Sequence, residues 1–331
     1  MRESDTMNAV VRESVVLDDV DRGVLQALVV DGRASFARIG EVLGVSDRTV
    51  ARRYARMCES GLVRLVGDVD ALRLGGSEWV VRVQCEQGSA AQVAEALARR
   101  DDTRWVNLLS GGTEISASLR SWSATERDEL ILHRLQRTAP VVAVTAHSVL
   151  HVFGGGRQGL DGPGSLSPEQ VAALRPAHDG DRSTDLVDSD RPLLRALALD
   201  GRAPYPVLAA ATGWSQSRVA RRIDALRAAA LLSFDVDVDT ELLGYRAEAR
   251  LWASVSPADL AETGATIAAH PEVAFCAATT GPTNLLVSTV CRDGAHLYRY
   301  LTDRLGALPR VHTVETAPVI RTIKRAGSVR R

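Results

Sequence analysis

Four arginines crowd the stretch "SDRTVARRYARM" as Arg48, Arg52, Arg53 and Arg56, and four more crowd "SQSRVARRIDALR" as Arg218, Arg221, Arg222 and Arg227. In both stretches apolar residues recur at helical spacing, Val50, Tyr54 and Met57 in one and Val219, Ile223 and Leu226 in the other. Each therefore reads as an amphipathic helix with its arginines on the outer side. A guanidinium fork on such a face can grip guanine O6 and N7 together, discriminating bases by about 1–3 kcal/mol per good pair. It can instead clamp a phosphate and position the helix without reading sequence, or it can simply be solvated. Between residues 46 and 60 four Arg meet Asp47 and Glu59 for a local charge of +2, and between 215 and 230 four Arg meet Asp224 for +3. The whole chain of 331 residues carries −1, so it is no globally basic coat and its positive charge is local. The outward positions are Asp47, Arg48, Thr49, Arg52, Arg53 and Arg56 in one copy, and Gln216, Ser217, Arg218, Arg221, Arg222 and Arg227 in the other. Arg53 and Arg222 have a further option, since they can turn back to acids of a preceding helix such as Asp21 and Asp190.

The two helices belong to a longer repeat. At an offset of 169, Asp31-Gly32-Arg33-Ala34 falls on Asp200-Gly201-Arg202-Ala203, Val50-Ala51-Arg52-Arg53 on Val219-Ala220-Arg221-Arg222, and Leu74-Gly75 on Leu243-Gly244. Further on the offset is 170, with Ser110-Gly111 on Thr280-Gly281 and Val149-Leu150 on Val319-Ile320. One residue of drift over that distance is a single loop insertion, and the chain reads as a tandem duplication.

Each copy opens with helices. Val20, Val24, Leu25 and Leu28 form one apolar stripe, matched by Ser189, Leu193, Leu194 and Leu197. A short second helix ends at Gly44 or Gly213, and Ser46 or Ser215 caps the Arg-rich third. Three short helices with a tight turn before the third describe a helix-turn-helix, whose third helix enters the major groove. The remainder of each copy alternates strand, helix, strand, strand, helix, strand, the order of a ferredoxin-like sheet. The helices fall at about 89–100 and 123–138 in one copy and 257–270 and 294–307 in the other. The fold class expected is α+β, a tandem duplication of a winged helix-turn-helix plus a ferredoxin-like βαββαβ domain. The divisions are 15–68, 69–152, a flexible linker at 153–184, 185–238 and 239–325. Gly, Pro, Ser and Asp mark the linker, within which "SPEQVAAL" suits a short helix capped by Ser167 with Pro168 at its first position.

With "LDDVDRGVLQALVVDGRASFARIGEVLGVSDRTVARRYARM" and "DSDRPLLRALALDGRAPYPVLAAATGWSQSRVARRIDAL" in view, each copy resembles the Lrp/AsnC (feast/famine) transcriptional regulators. The resemblance covers nearly the whole chain except the N-terminal tail and the linker, and the chain looks like two such subunits joined head to tail. It implies a sequence-specific DNA-binding regulator with double-stranded DNA as partner and no catalytic role. It also implies an amino acid-like effector near a Gly-Asp-aromatic-Asp turn between the second and third strands. The matching positions are Gly111, Gly112, Thr113 and Glu114, and Gly281, Pro282, Thr283 and Asn284. Glu114 could hold an ammonium, whereas Asn284 offers only a neutral hydrogen bond, so the two pockets are expected to differ. Both turns could equally be structural.

The sheet domains could pair within one chain as a pseudo-dimer or between chains, and association into homo-oligomers, dimers or tetramers, is expected. Sirohaem decarboxylases, built on the same modules, offer an enzyme alternative that would need convergent His and Arg residues. His133, His147, His151, His296 and His312 show no evident cluster in sequence. A binding or scaffolding module that does not recognise DNA is the third reading. No cofactor is called for, and His147 and His151 stand too far apart along a strand to share a metal easily. Cys58, Cys85, Cys276 and Cys291 are scattered and read as reduced and structural. No apolar run approaches a membrane span, and the first residues lack a signal-peptide core, so a cytoplasmic protein is expected. The basic end "RTIKRAGSVRR" reads as a frayed, solvated tail.

Overall fold

The computed structural model describes residues 17–69, 71, 72, 75–123, 125, 128, 140–154, 166–176, 184–241, 243–326, 328 and 329. The second helix expected in the first ferredoxin-like unit, and His133 with it, lie outside these residues.

Three helices open each copy: α1 (Asp19–Val30), α2 (Phe36–Leu43) and α3 (Asp47–Glu59) in the first, and α6 (Arg191–Leu199), α7 (Tyr205–Thr212) and α8 (Gln216–Ala228) in the second. The caps are those the sequence names. Gly44 and Gly213 end α2 and α7 in the left-handed region, at φ 69° and 71°, where a Cβ is costly. Ser46 accepts from the Thr49 N–H and Ser215 from the Arg218 N–H, at 3.1 and 3.3 Å. Val24, Leu25, Leu28, Ile39, Val50 and Met57 close one core, and Leu193, Leu197, Leu208, Val219, Ile223 and Leu226 the other.

Each helical unit then contributes one wing strand, β1 (Val63–Val69) or β6 (Leu232–Val238), and the two pair antiparallel with each other. The register centres on Val66 opposite Asp235, which are equivalent positions at the offset of 169. A pseudo-two-fold axis therefore runs through this ribbon.

The rest builds one closed sheet from both copies. Strands β2 (Ser77–Cys85), β3 (Thr103–Leu109), β4 (Glu114–Ser121) and β5 (Val141–Gly154) belong to the first, with α4 (Ala90–Ala98) covering them. Strands β7 (Ala247–Val255), β8 (Val273–Thr279), β9 (Leu285–Cys291) and β10 (Val311–Arg325) belong to the second, with α9 (Leu260–Ala268), α10 (Gly294–Arg299) and a π-helical turn at Tyr300–Leu305. Within each copy the strand order is ferredoxin-like, β5-β2-β4-β3 and β10-β7-β9-β8. The last strand of each copy also reaches the other, β5 pairing with β8 and β10 with β3, which closes the ring. The interior draws on both copies, with Val80, Leu109 and Val149 against Trp252, Leu286 and Ala317. The modules thus pair within the chain.

Two expectations are revised here. The C-terminal segment is not a solvated tail: Arg321, Thr322 and Lys324 lie in register with β3, and a short strand β11 (Ser328–Val329) folds back on β10. Lys324 is buried and donates from Nζ to the Arg100 carbonyl at 2.5 Å and to Thr103 Oγ1 at 3.1 Å. Those acceptors offset the cost of taking an ammonium out of water. Within the segment read as a flexible linker the expected helix forms as α5 (Pro168–Leu174), capped by Ser167 with Pro168 at its start, and what is revised is its independence of the modules. This helix docks on the first helical unit, with Leu174 fully buried beside Leu25 and Ile39. Arg38 donates to the Ala173 carbonyl, and Gln170 Nε2 to that of Val42 at 2.8 Å. This buried leucine and these hydrogen bonds, together with that from the Leu166 N–H to Gln26 Oε1 at 2.6 Å, are tertiary contacts that composition does not reveal.

Candidate nucleic-acid interface and ligand sites

The outer ends of the third helices keep different side chains free. On α3, Asp47, Arg48 and Arg52 are exposed and Thr49 half-buried, its hydroxyl against Ser46 Oγ at 2.9 Å. On α8, Gln216, Ser217, Arg218 and Arg221 are exposed. Arg218 stacks its guanidinium on Trp214, 4.3 Å from the ring centroid, which holds the fork beside a shallow hollow that Arg221 and Ser189 also line.

The inner arginines serve the fold. Arg222 sets Nε and Nη2 on the two oxygens of Asp190 at 2.7 and 2.5 Å, and that carboxylate is fully buried. Its equivalent Arg53 pairs with Asp18 and, at 3.1 Å, with buried Asp21, which Arg56 also meets at 2.5 Å. Asp18 is the N-cap of α1, and its carboxyl is held below the ordinary value, first by the Asp21 N–H and then by Arg53 against the cost of burial. Arg227 turns away from the outer face to Asp31 of the other copy at 2.6 Å. In this arrangement Arg53, Arg56, Arg222 and Arg227 tie helix three to acids, whereas Arg48, Arg52, Arg218 and Arg221 are exposed and make no ion pair among the described residues.

The repeated "DGRA" explains how the two units are held. Arg33 donates to the carbonyls of Gly201 and Ala203 at 2.7 and 3.4 Å, and Arg202 returns the contact to Gly32 and Ala34 at 2.7 and 3.1 Å. Arg202 also stacks on Phe36 and Arg33 on Tyr205, again equivalent residues. The glycines are needed for closeness: a Cβ on Gly32 would stand 2.6 Å from the Phe234 Cβ. Sequence reasoning saw the repeat of this tetrapeptide but not its reciprocal use, because the contact joins residues about 170 apart.

This architecture has recognisable relatives. The AsnC-type helix-turn-helix domain model matches residues 17–57 and 188–227, and the Lrp/AsnC ligand binding domain model matches 248–329. An HTH-type transcriptional regulator of Pyrococcus furiosus is 30% identical over 122 residues, 36% of this chain and 82% of its own. The chain belongs to the Lrp/AsnC family of transcriptional regulators. The HTH-type transcriptional regulator FL11 of Pyrococcus horikoshii is similar too, 29% identical over 42% of this chain and 92% of its own. Such relatives match one module, whereas the solved siroheme decarboxylase NirDL covers 93% of both chains with a TM-score of 0.63 at 14% identity. That likeness is one of fold. Among the described residues no helix is long and apolar enough to cross a membrane.

The turns expected to meet an effector are largely taken up by the protein itself. In this Lrp/AsnC chain Glu114 is buried and accepts from Arg82 Nε at 2.5 Å, and Arg82 also binds Glu315 through both Nη atoms. Burial works against the Arg82 charge, but the Glu315 and Glu114 bonds outweigh it and its pKa rises. Asn284 is satisfied by the Val255 backbone, accepting its N–H at 2.9 Å and donating to its carbonyl at 2.8 Å. Gly111 and Gly281 have φ of 78° and 108°, the tight-turn use of glycine, and Thr113 and Thr283 lie in those turns, exposed and half-buried. Buried His147 closes on the second turn, so that a Cβ on Gly281 would meet its Nδ1 at 2.4 Å.

A different cleft, about 360 Å³, opens beside α10, lined by Tyr245, Pro271, Glu272, Val290, Arg292, His296 and Arg299. Arg304 Nη1 lies 3.6 Å from Glu272 Oε2, and His270 Nδ1 lies 3.3 Å from the Tyr300 hydroxyl. Burial, and then Arg304, lowers the His270 pKa. Sequence reasoning noted His296 and found no cluster; the strand ends bring one together. Its signal was available as a difference between copies, since Arg292, His296 and Arg299 replace Trp122, Glu126 and Glu129 at the offset of 170. The cysteines are plain by contrast: burial pushes the Cys276 thiol up to about 12 and, first among its causes, that of Cys291 to about 11.

Proposed function

We propose that the chain is a DNA-reading transcriptional regulator that acts as a built-in heterodimer, its two helix-turn-helix units addressing two unlike half-sites. The observation that carries this is the reciprocal docking of two units whose free residues differ. Asp47, Arg48 and Arg52 are exposed on one, beside half-buried Thr49, and Gln216, Ser217, Arg218 and Arg221 on the other. Half-sites for paired helices of this kind are spaced by about 34 Å, one duplex turn. A symmetric operator has no role for the asymmetry of the readers.

The test is selection from a random duplex pool at about 150 mM salt, on wild type, Arg48→Ala and Arg218→Ala. A non-palindromic motif is expected, with each variant relaxed in one half only. A symmetric consensus, or both halves relaxed together, refutes it. An amino acid-like effector remains part of this reading, although Glu114 and Asn284 already have protein partners. Assembly of several chains is also part of it, with Leu150 and Ile320, each 58% exposed on equivalent strand positions, as contact points that light scattering of Leu150→Asp tests.

The fold likeness to a decarboxylase supports a second reading, an enzyme acting on a tetrapyrrole. Absorbance with added sirohaem separates the two: a Soret shift favours the enzyme, and an unchanged band with tight DNA binding favours the regulator.

A further inference from the structure

We propose that the cleft beside α10 binds one small organic acid per chain, its carboxylate or phosphate on Arg292 and Arg299 and a hydroxyl or ammonium donor on Glu272. Glu272 is 9% exposed, and its Oε2 has no hydrogen-bond partner. The nearest donors are too distant for good hydrogen bonds, His296 Nε2 at 3.5 Å from Oε1 and Arg304 Nη1 at 3.6 Å from Oε2. A buried acceptor left in that state is costly unless a donor reaches it.

The backbone at Glu272 and the facing imidazole are held in place. The Glu272 carbonyl accepts from the Val290 N–H at 2.8 Å at the start of β8, and His296 is fixed by its Nδ1, which accepts from the Arg292 N–H at 3.2 Å. That bond leaves the proton on Nε2, facing Glu272. Arg292 and Arg299 are exposed and make no ion pair among the described residues, so two forks suited to carboxylate or phosphate stand free at the mouth. Tyr245, Pro271 and Val290 give an apolar wall. A ligand that meets all of these carries an anionic group at one end and a donor at the other, within a volume at the lower limit of small-molecule sites.

The cleft is separate from the turns discussed above. Val273 pairs with Thr289 at this end of the β8–β9 hairpin and Ala278 with Leu285 at the other, which puts about 20 Å of strand between cleft and turn. The equivalent positions of the first copy carry other residues. Asp102, at the Glu272 position, is closed by Arg100 at 2.5 Å, and acids stand where Arg299 and His296 do.

The test is titration calorimetry of the full chain with L-malate, L-aspartate, O-phosphoserine, succinate and inorganic phosphate. At least one of the first three is expected to saturate at one site per chain, with succinate and phosphate at least about tenfold weaker, a step of 1.4 kcal/mol. Arg292→Ala/Arg299→Ala, exposed positions whose loss leaves the melting curve in place, is expected to weaken the best probe at least tenfold. Glu272→Gln should weaken aspartate more than malate. The site is refuted if no probe saturates, if the double variant binds like wild type, or if two probes bind per chain. If succinate or bare phosphate binds as well as the others, the donor role of Glu272 is overturned.

Discussion

Arg48 and Arg222 both lie on the third helix of their unit, yet only Arg222 is tied to a buried acid. Asp190 is fully buried and its only described cation is Arg222. Arg222→Ala strands that carboxylate and should cost roughly 3–5 kcal/mol in urea unfolding, the range for breaking one side of a buried pair. Arg48→Ala, on an exposed position, should stay within about 0.5 kcal/mol of wild type while changing DNA selection. Acid sensitivity belongs to the same scale. Glu315, through its bond to Arg82, and Asp18, through the Asp21 N–H and Arg53, both have lowered folded-state pKa values. A lowered pKa contributes stability that is present above the unfolded value and lost as pH falls through the folded one. Urea midpoints should therefore fall between about pH 6 and 3, and Glu315→Gln should flatten part of that slope.

At the scale of elements, α5 behaves as a fourth helix of the first helical unit. Leu174→Ala removes a fully buried side chain and is expected to lower stability by about 2–5 kcal/mol, read from a denaturant curve. Were the helix only resting on the surface, the change would fall under about 0.5 kcal/mol. The β1–β6 ribbon and the Arg33 and Arg202 clamps together fix one helical unit against the other. Arg33→Ala/Arg202→Ala removes four backbone contacts that straddle the pseudo-axis. Selected DNA motifs should then tolerate more than one half-site spacing, whereas wild type should hold a single spacing.

For the whole molecule, duplication matters because it allows the two halves to stop being alike. At equivalent positions across the axis stand Arg82 and Trp252, stacked with the guanidinium 3.9 Å from the ring centroid. Two copies of the first module would set Arg82 against Arg82, and two of the second would set a buried indole against its twin. Charge repulsion opposes the first and overpacking the second, so each half is fitted to the other and not to itself. The same loss of symmetry gives α3 and α8 different exposed side chains and places Glu272, His296 and Arg299 where the first copy has Asp102, Glu126 and Glu129.

The sequence by itself determined the local and the repeated: helix periods, the Ser46 and Ser215 caps, the glycine ends of α2 and α7, the strand order of each sheet and the duplication that relates them. Those signals lie within a few residues or recur at a fixed offset. It also named Asp21 and Asp190 as the acids that Arg53 and Arg222 could reach, since helix one and helix three must share a core. Tertiary structure alone decided which arginines remain free, that Glu114 is already held by Arg82, and that the C-terminal strand enters the sheet. It likewise decided that Glu272, Arg292 and Arg299 face one cleft. Each of these depends on residues far apart in the chain meeting across the pseudo-two-fold axis or at a strand end, where burial and charge pairing, not periodicity, select the partner.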